Sequence, residues 1–389
     1  MNKILAAALL FLAVPAEVSA CSGAVISAAA SAGGAPLLWK NRDTTHFNNS
    51  VRFVADTPYS YLGLTNEDDL GGRRVWAGLN SAGFAVMNTV AYNLPLNSDQ
   101  AKDLEGWIMA DALRTCRTAD DFAAYLGANL GPALGSQANF GVIDATGGAA
   151  LFEVYNTSFT RLDAGKAAGG CLPVTNFSRS GGRDKGKGYV RYDRLAQLFG
   201  DMQDGKYTAQ RILQDFSRDL VNPMLGARAP QENPAAGRDF VHTVHTIDRA
   251  STVSAVVFQG VPEGAPPKDA VMWALLGEPV CSIAVPLWAE AGETPFELQG
   301  GTLAPVNVEA MRLRALLRPF PDDEHAEYLD LRKLENAQGT GWLAALRAKE
   351  KEIIEKTAAF LRTAPDKAQK AAFQKEMAEY ALKTLKSIK

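Results

Sequence analysis

The sequence predicts an α+β domain with a helical C-terminal tail, and three observations carry that expectation. Short apolar runs are separated by Gly-rich turn signals, helical patterns are inserted between them, and the last eighty residues change to long 3.6-residue periodicity. In order, apolar runs at 21–29 and 36–39 flank Ser31-Ala32-Gly33-Gly34, a hairpin signal. Strands are expected at 50–55, 74–79 and 85–90, the last two joined by Asn80-Ser81-Ala82-Gly83. Helices follow at 106–115 and 120–126, with Thr118 as the cap of the second. Strands at 139–144 and 149–155 frame Ala145-Thr146-Gly147-Gly148. A short strand at 173–176 leads to a Gly- and Lys-rich loop at 181–188, then helices at 189–199 and 208–220. Strands return at 241–246, 252–259 and 281–286. From about 307 charged residues increase, and 341–362 and 366–387 carry apolar stripes through Leu343, Leu346, Ile353 and Phe360, and through Phe373, Met377, Tyr380 and Leu385. Such stripes read as core or dimer contact, so a homo-oligomer stays open.

Composition excludes several classes. In the 389 residues, 47% hydrophobic and 21% charged residues rule out wholesale disorder. Forty basic against 43 acidic residues give a net charge of −3, which argues against a nucleic-acid partner. Four cysteines are too few for a disulfide scaffold.

Residues 1–20 have the pattern of a signal peptide: Lys3, an apolar run from Ile4 to Val14, and Val18-Ser19-Ala20 as a cleavage site. The run is too short to span a membrane. The expectation is a periplasmic or secreted protein whose mature chain begins at Cys21. Two readings of Cys21 remain. Val18-Ser19-Ala20-Cys21 also satisfies a loose lipobox, which would make the protein an outer-membrane lipoprotein with a lipidated thiol. Alternatively, Cys21 is a nucleophile whose freed α-amine is its own base; α-amines ordinarily titrate at about 8 and thiols at about 8.5, within reach of adjustment to neutral pH. A lipoprotein usually continues as a polar tether, whereas Gly23-Ala24-Val25-Ile26 looks like a buried strand and favours the nucleophile.

Five pieces, in order, carry a family resemblance: Cys21; Trp39-Lys40-Asn41-Arg42-Asp43; the stretch Gly78-Leu79-Asn80-Ser81-Ala82-Gly83-Phe84-Ala85-Val86-Met87-Asn88; Val174-Thr175-Asn176; and Arg191-Tyr192-Asp193-Arg194. Together they resemble the N-terminal nucleophile hydrolases of the choloylglycine hydrolase and acyl-CoA:6-aminopenicillanic acid acyltransferase group, with the carcinine hydrolase-like branch the nearer fit. The resemblance implies an αββα sandwich over 21–306, with 307–389 as a helical extension. It also implies an amidohydrolase of linear, non-peptide amides such as N-acyl amines, N-acyl amino acids or bile-salt-like conjugates, or an acyltransferase using the same acyl-enzyme.

On this reading Cys21 Sγ attacks the amide and its own amine shuttles the proton. Asp43 orients that amine, Asn88 and Asn176 donate to the oxyanion, and Arg191 favours the thiolate. Asp43, Asn88 and Asn176 also suit ordinary turns. Two departures stand out: Lys40 where the bile-salt branch has Arg, and a shorter interval from Asn80 to Asn88. Trp39, His46, Phe47 and Phe177, together with Trp76, Phe84 and Tyr92, are candidates for an apolar acyl pocket. No cofactor is implied. His242 and His245 are set aside as metal ligands, because in a strand they would face opposite ways. The 181–188 loop lacks a P-loop ending and reads as a mobile surface loop that could cover the site.

Overall fold

The computed structural model describes residues 20–95, 104–131, 136–200, 206–227, 229–232, 237–320 and 327–389, so the expected signal peptide lies outside the described residues apart from Ala20. The strands are β1 (Ser22–Ile26), β2 (Leu37–Asp43), β3 (Asn49–Val54), β4 (Tyr61–Asn66), β5 (Ala77–Asn80), β6 (Ala85–Val90), β7 (Gln137–Ile143), β8 (Ala149–Tyr155), β9 (Ser158–Asp163), β10 (Cys171–Val174), β11 (Phe240–His242), β12 (Thr252–Gln259), β13 (Val271–Leu276), β14 (Val285–Leu287) and β15 (Tyr328–Asp330). The helices are α1 (Glu105–Thr115), α2 (Ala119–Asn129), α3 (Tyr189–Gly200), α4 (Ala209–Arg211), α5 (Phe296–Gln299), α6 (Pro305–Leu317), α7 (Leu331–Leu334), α8 (Trp342–Leu361) and α9 (Lys367–Ser387).

Two antiparallel sheets face one another. One has the order β10-β1-β2-β12-β13-β14, and the other runs as a meander from β3 to β9. β1 and β2 lie against β6, β7 and β8. Gly141 on β7 makes this approach possible, because a Cβ there would lie 2.8 Å from Leu38 and 3.0 Å from Val25 of the facing sheet. Helices cover both outer faces. α1 and α2 seal the meander through Phe84, Phe122, Phe140 and Phe152. α3, α4, α6, α8 and α9 cover the other sheet. The result is the four-layer αββα arrangement.

Local chemistry sets the boundaries. Thr118 accepts from the Asp121 N–H and the Asp121 side chain reaches back, a capping box that starts α2, and Asp366 with Gln369 repeats it at α9. The stretch expected as one helix at 208–220 instead makes a single α-turn capped by Thr208, then a π-turn over Ile212–Phe216. The strand expected at 241–246 is confined to β11, and the 281–286 run divides into a 3₁₀ turn over Pro279–Cys281 and β14.

The C-terminal helices share the main core: Leu346, Ile353, Met377, Ala381 and Leu385 belong to the cluster that contains Trp39 and Val257. Glu350 on α8 pins them there. Its carboxylate takes both Arg218 Nη1 and Nη2 at 2.8 Å and the Ala284 N–H at 2.8 Å, with both side chains wholly buried. All four cysteines are free and buried. Among the described residues, no helix is long and apolar enough to cross a membrane.

Candidate active site

β1 starts one residue after Cys21 and is an interior strand, paired with β10 on one side and β2 on the other. The β1–β2 register sets Ser22 opposite Asn41 and Gly23 opposite Lys40. Continued by one and two residues, it brings Cys21 beside Arg42 and Ala20 beside Asp43. Gly23 is required here, since a Cβ would lie 2.2 Å from the Trp39 carbonyl oxygen. Alternation along β2 then divides the motif. Trp39, Asn41 and Asp43 turn to the helical layer, while Lys40 and Arg42 line a cleft with Cys21.

That cleft encloses about 220 Å³ and is lined by Cys21, Lys40, Arg42, His46, Trp76 and Asn88, with Thr44, Asn66, Asp68, Arg74 and Val90 around them. β5 and β6 pair only from Ala77 opposite Met87 to Leu79 opposite Ala85. Beyond Met87 they part, and the Lys40 ammonium fills the split, donating to the Trp76 carbonyl at 2.8 Å and to Asn88 Oδ1 at 2.6 Å. This fixes the Asn88 amide with its oxygen toward Lys40.

Arg191, in the first turn of α3, makes a matching fork on the other side. Its Nη1 donates to the Cys21 carbonyl and to Ser22 Oγ, each at 2.7 Å, and Nη2 donates to Asn176 Oδ1 at 2.6 Å. One guanidinium therefore ties the Cys21 backbone to the side chain of Asn176. Asn176 follows β10, and its Nδ2 reaches the Val90 carbonyl at 3.0 Å. Both asparagines singled out from sequence are thus oriented through their oxygens by a buried cation. The hydrogen-bond partners of Arg191 are neutral oxygens, with Asp43 supplying electrostatic attraction.

Asp43 is fully buried; Oδ1 accepts from Thr252 Oγ1 at 2.7 Å, and Oδ2 lies 3.8 Å from Arg249 Nε. Burial pushes its carboxyl up, with Arg249 and Arg191 pulling it back. Burial likewise lowers Lys40 to about 8, and Arg42 and Arg191 to about 10.

Of the aromatic and histidine candidates for an acyl pocket, His46 and Trp76 line the cleft. Trp39 is core: its ring lies 6.2 Å from Phe216, and Nε1 donates to Asn41 Oδ1 at 3.0 Å. Phe47 packs under the Arg314 guanidinium at 4.9 Å, away from Cys21. Phe177 sits between Tyr189 and Tyr192, at 4.7 and 5.1 Å. Phe84 is in the core under α1 and α2, and Tyr92 lies beneath the Lys187 ammonium at 4.4 Å. The lining of the cleft is polar and cationic, so the expected apolar acyl pocket is not what these residues build. The 181–188 loop is tethered at both ends. Asn93 Nδ2 donates to the Ser178 and Gly182 carbonyls, and the Lys187 N–H donates to the Asn176 carbonyl at 3.2 Å. Arg42 is the residue that sequence reasoning passed over, although its period-two relation to Lys40 was the available signal.

No family model matches the sequence, and no curated protein is similar to it. Among solved structures, the chain is similar to the conjugated bile acid hydrolase from Clostridium perfringens, at 14% identity and a TM-score of 0.38, over 66% of this chain and 89% of that one. It is also similar to penicillin V acylase from Agrobacterium tumefaciens, at 12% identity and a TM-score of 0.37, over 69% and 85%. A third is the N-acylethanolamine-hydrolyzing acid amidase ortholog of Caenorhabditis elegans, at 14% and 0.34, over 46% and 79%.

Proposed function

We propose that this chain is an exported cysteine amidohydrolase of the N-terminal nucleophile type, cleaving linear non-peptide amides through an acyl-Cys21 intermediate. The observation that supports it most is the Arg191 fork, which joins the Cys21 carbonyl to Asn176 while Lys40 holds Asn88 in the same cleft. A lipid-anchored Cys21 gives no reason for that arrangement.

In the reaction, removal of residues 1–20 frees the Cys21 amine next to Asp43. The amine takes the Sγ proton as sulfur bonds to the amide carbon. Asn88 Nδ2 and the Asn176 amide, aimed by Arg191, face the developing oxyanion, and the cations Lys40 and Arg42 stabilise the charge on sulfur and then on oxygen. Collapse breaks the C–N bond, the leaving amine departs with the proton, and water hydrolyses the thioester to a carboxylic acid, restoring the thiol.

The test is intact mass of the protein recovered from the exporting cell, before and after iodoacetamide, followed by an acyl-amide panel. A mass matching 21–389, faster alkylation of Cys21 than of the other thiols, and turnover abolished in Cys21→Ala are expected. A terminus carrying diacylglycerol would remove both thiol and amine and overturn the proposal.

A further inference from the structure

Asp43 is held by a turn that is itself held from the C-terminal helices. Residues 243–252 run from the end of β11 into β12 and carry both Thr252 and Arg249, the partners of the Asp43 carboxylate. Thr252 Oγ1 accepts from the Arg249 N–H at 3.0 Å and donates to Asp43 Oδ1, so one hydroxyl closes the turn and meets the carboxylate. The Thr44 N–H ties the end of β2 to the Ser251 carbonyl at 2.9 Å. Two arginines at the C-terminal end of α6 grip this turn. Arg318 Nη1 donates to Thr243 Oγ1 at 3.1 Å, and Arg314 Nη2 donates to the Ala250 carbonyl at 2.5 Å, next to Arg249. Both guanidiniums are clamped on the buried Glu278, which follows β13. Asp248, inside the turn, accepts from the Val280 N–H at 3.1 Å, which binds the turn to the same stretch of chain. Seven residues before Arg314, and so on the same face of α6, Asn307 holds the segment that leaves β2. Its Nδ2 donates to the Phe47 carbonyl at 3.2 Å, and its Oδ1 accepts from the Asn49 N–H at 3.4 Å.

We propose that Arg314 and Arg318 are positioning residues of the Cys21 site: clamped on Glu278, they fix the 243–252 turn so that Thr252 and Arg249 keep Asp43 aimed at the Cys21 α-amine. This rests on the amidohydrolase reading, in which Asp43 orients that amine. It makes the end of α6 part of the catalytic unit, although both arginines lie beyond the 21–306 stretch of the family resemblance. Stability alone gives no reason for the cluster, since well-packed apolar residues of similar volume often hold a fold as well as a buried ion triad. What the triad adds is direction. A guanidinium forks from Glu278 to a second acceptor at a fixed angle, and here the second acceptors are the two ends of the turn. Small displacements matter at such a place, because a shift of about 1 Å in a group that orients the reacting atoms can cost about 100-fold in rate.

The test uses the processed full-length protein and two readouts: the rate of iodoacetamide at Cys21 at neutral pH, which needs no turnover, and kcat and KM on an acyl amide. With Asp43 turned aside the amine no longer takes the Sγ proton, so Arg314→Met should slow alkylation about tenfold and lower kcat by about 10–100-fold, with KM within about twofold. Arg314→Lys reaches Glu278 or the Ala250 carbonyl but does not fork to both, and should recover part of each loss. Thr252→Val removes the hydroxyl that the turn delivers; added to Arg314→Met, it should do no more harm than the more damaged single variant. Lys370→Met is the control for lost stability. Lys370 is a buried cation of α9 that donates to Asp269 Oδ1 at 2.6 Å, at the far end of the β12–β13 hairpin from Thr252, and its loss should leave both rates near the parent's. Parent-like alkylation and kcat in Arg314→Met overturn the inference, as do equal losses in Arg314→Met and Lys370→Met at matched stability. If Arg314→Met does not fold, Arg314→Lys and Thr252→Val carry the same comparison. Amide turnover at the parent's kcat in the Arg314 variants overturns the inference while leaving the hydrolase reading standing. Alkylation that slows with Arg314→Met in a protein that cleaves no amide does the reverse.

Discussion

Replacing Arg191 by Met removes three hydrogen bonds of 2.6–2.7 Å from oxygens that are buried in the folded chain. The Ser22 hydroxyl can rotate, whereas the buried Cys21 carbonyl and Asn176 Oδ1 each lose a bond from a charged donor. At about 1.5–3 kcal/mol for each such bond, the loss of stability should be about 4 kcal/mol. The kinetic effect arises separately. With Oδ1 released, the Asn176 amide is no longer aimed, and losing one oxyanion donor costs about 10²–10³ in kcat. Urea unfolding followed by tryptophan fluorescence measures the first quantity, and kcat on a turned-over amide measures the second. Because Arg191 acts through Asn176, Arg191→Met combined with Asn176→Ala should be little worse in kcat than the weaker single variant. Gly188→Ala offers an independent perturbation. Gly188 has φ +80°, and a Cβ there would lie 2.5 Å from Arg191 Nη2, so the fork must move while its charge stays. It should lose kcat with KM little changed. A loss of stability below about 1 kcal/mol in Arg191→Met, less than one charge-assisted bond, would refute the reasoning, as would kcat losses that multiply in the double variant.

Two further outcomes follow from buried charge. Lys40 is lowered to about 8 in the folded chain, mainly by burial, against an ordinary value of 10.5. Between those values the unfolded chain holds a proton that the folded chain has released, so stability should rise with pH across that window, by up to about 3 kcal/mol. The rise should be visibly flatter in Lys40→Met, and matching slopes from pH 7.5 to 10.5 would contradict the assignment. Glu350→Ala leaves Arg218 buried without its bidentate partner, which should cost about 3–5 kcal/mol in urea unfolding, with much of it recovered when Arg218→Met is added. No recovery would mean that the helix is anchored by something else.

Short apolar runs bounded by turns were readable from sequence: 85–90, 149–155 and 252–259 match β6, β8 and β12 residue for residue. β13, Val-Met-Trp-Ala-Leu-Leu, is buried just as those three are and was passed over, because a short, wholly apolar run cannot be told from a buried helix segment by periodicity. β4 and β9 were missed as well, and α6 was submerged in the change of texture near 307. At the site, Cys21, Asn176 and Arg191 could be ordered along the chain before their distances were known. The Lys40–Asn88 bond could not, since it depends on β5 and β6 parting beyond Met87. Trp39 was read as pocket because it flanks the predicted catalytic strands, but neighbours on a strand point to opposite faces, and its face meets Phe216.

The interior place of β1 also bears on the timing of maturation. A chain terminus ordinarily frays, but β1 is held by backbone pairs on both flanks, so a mature N-terminus at Cys21 would begin life already immobilised. The same enclosure shields the bond to be cut, for Ala20 and Cys21 are each only 3% exposed. On the proposed reading, a peptidase would have to cut this bond before the sheet closes around it, and a chain that folded first would be a dead end for activation.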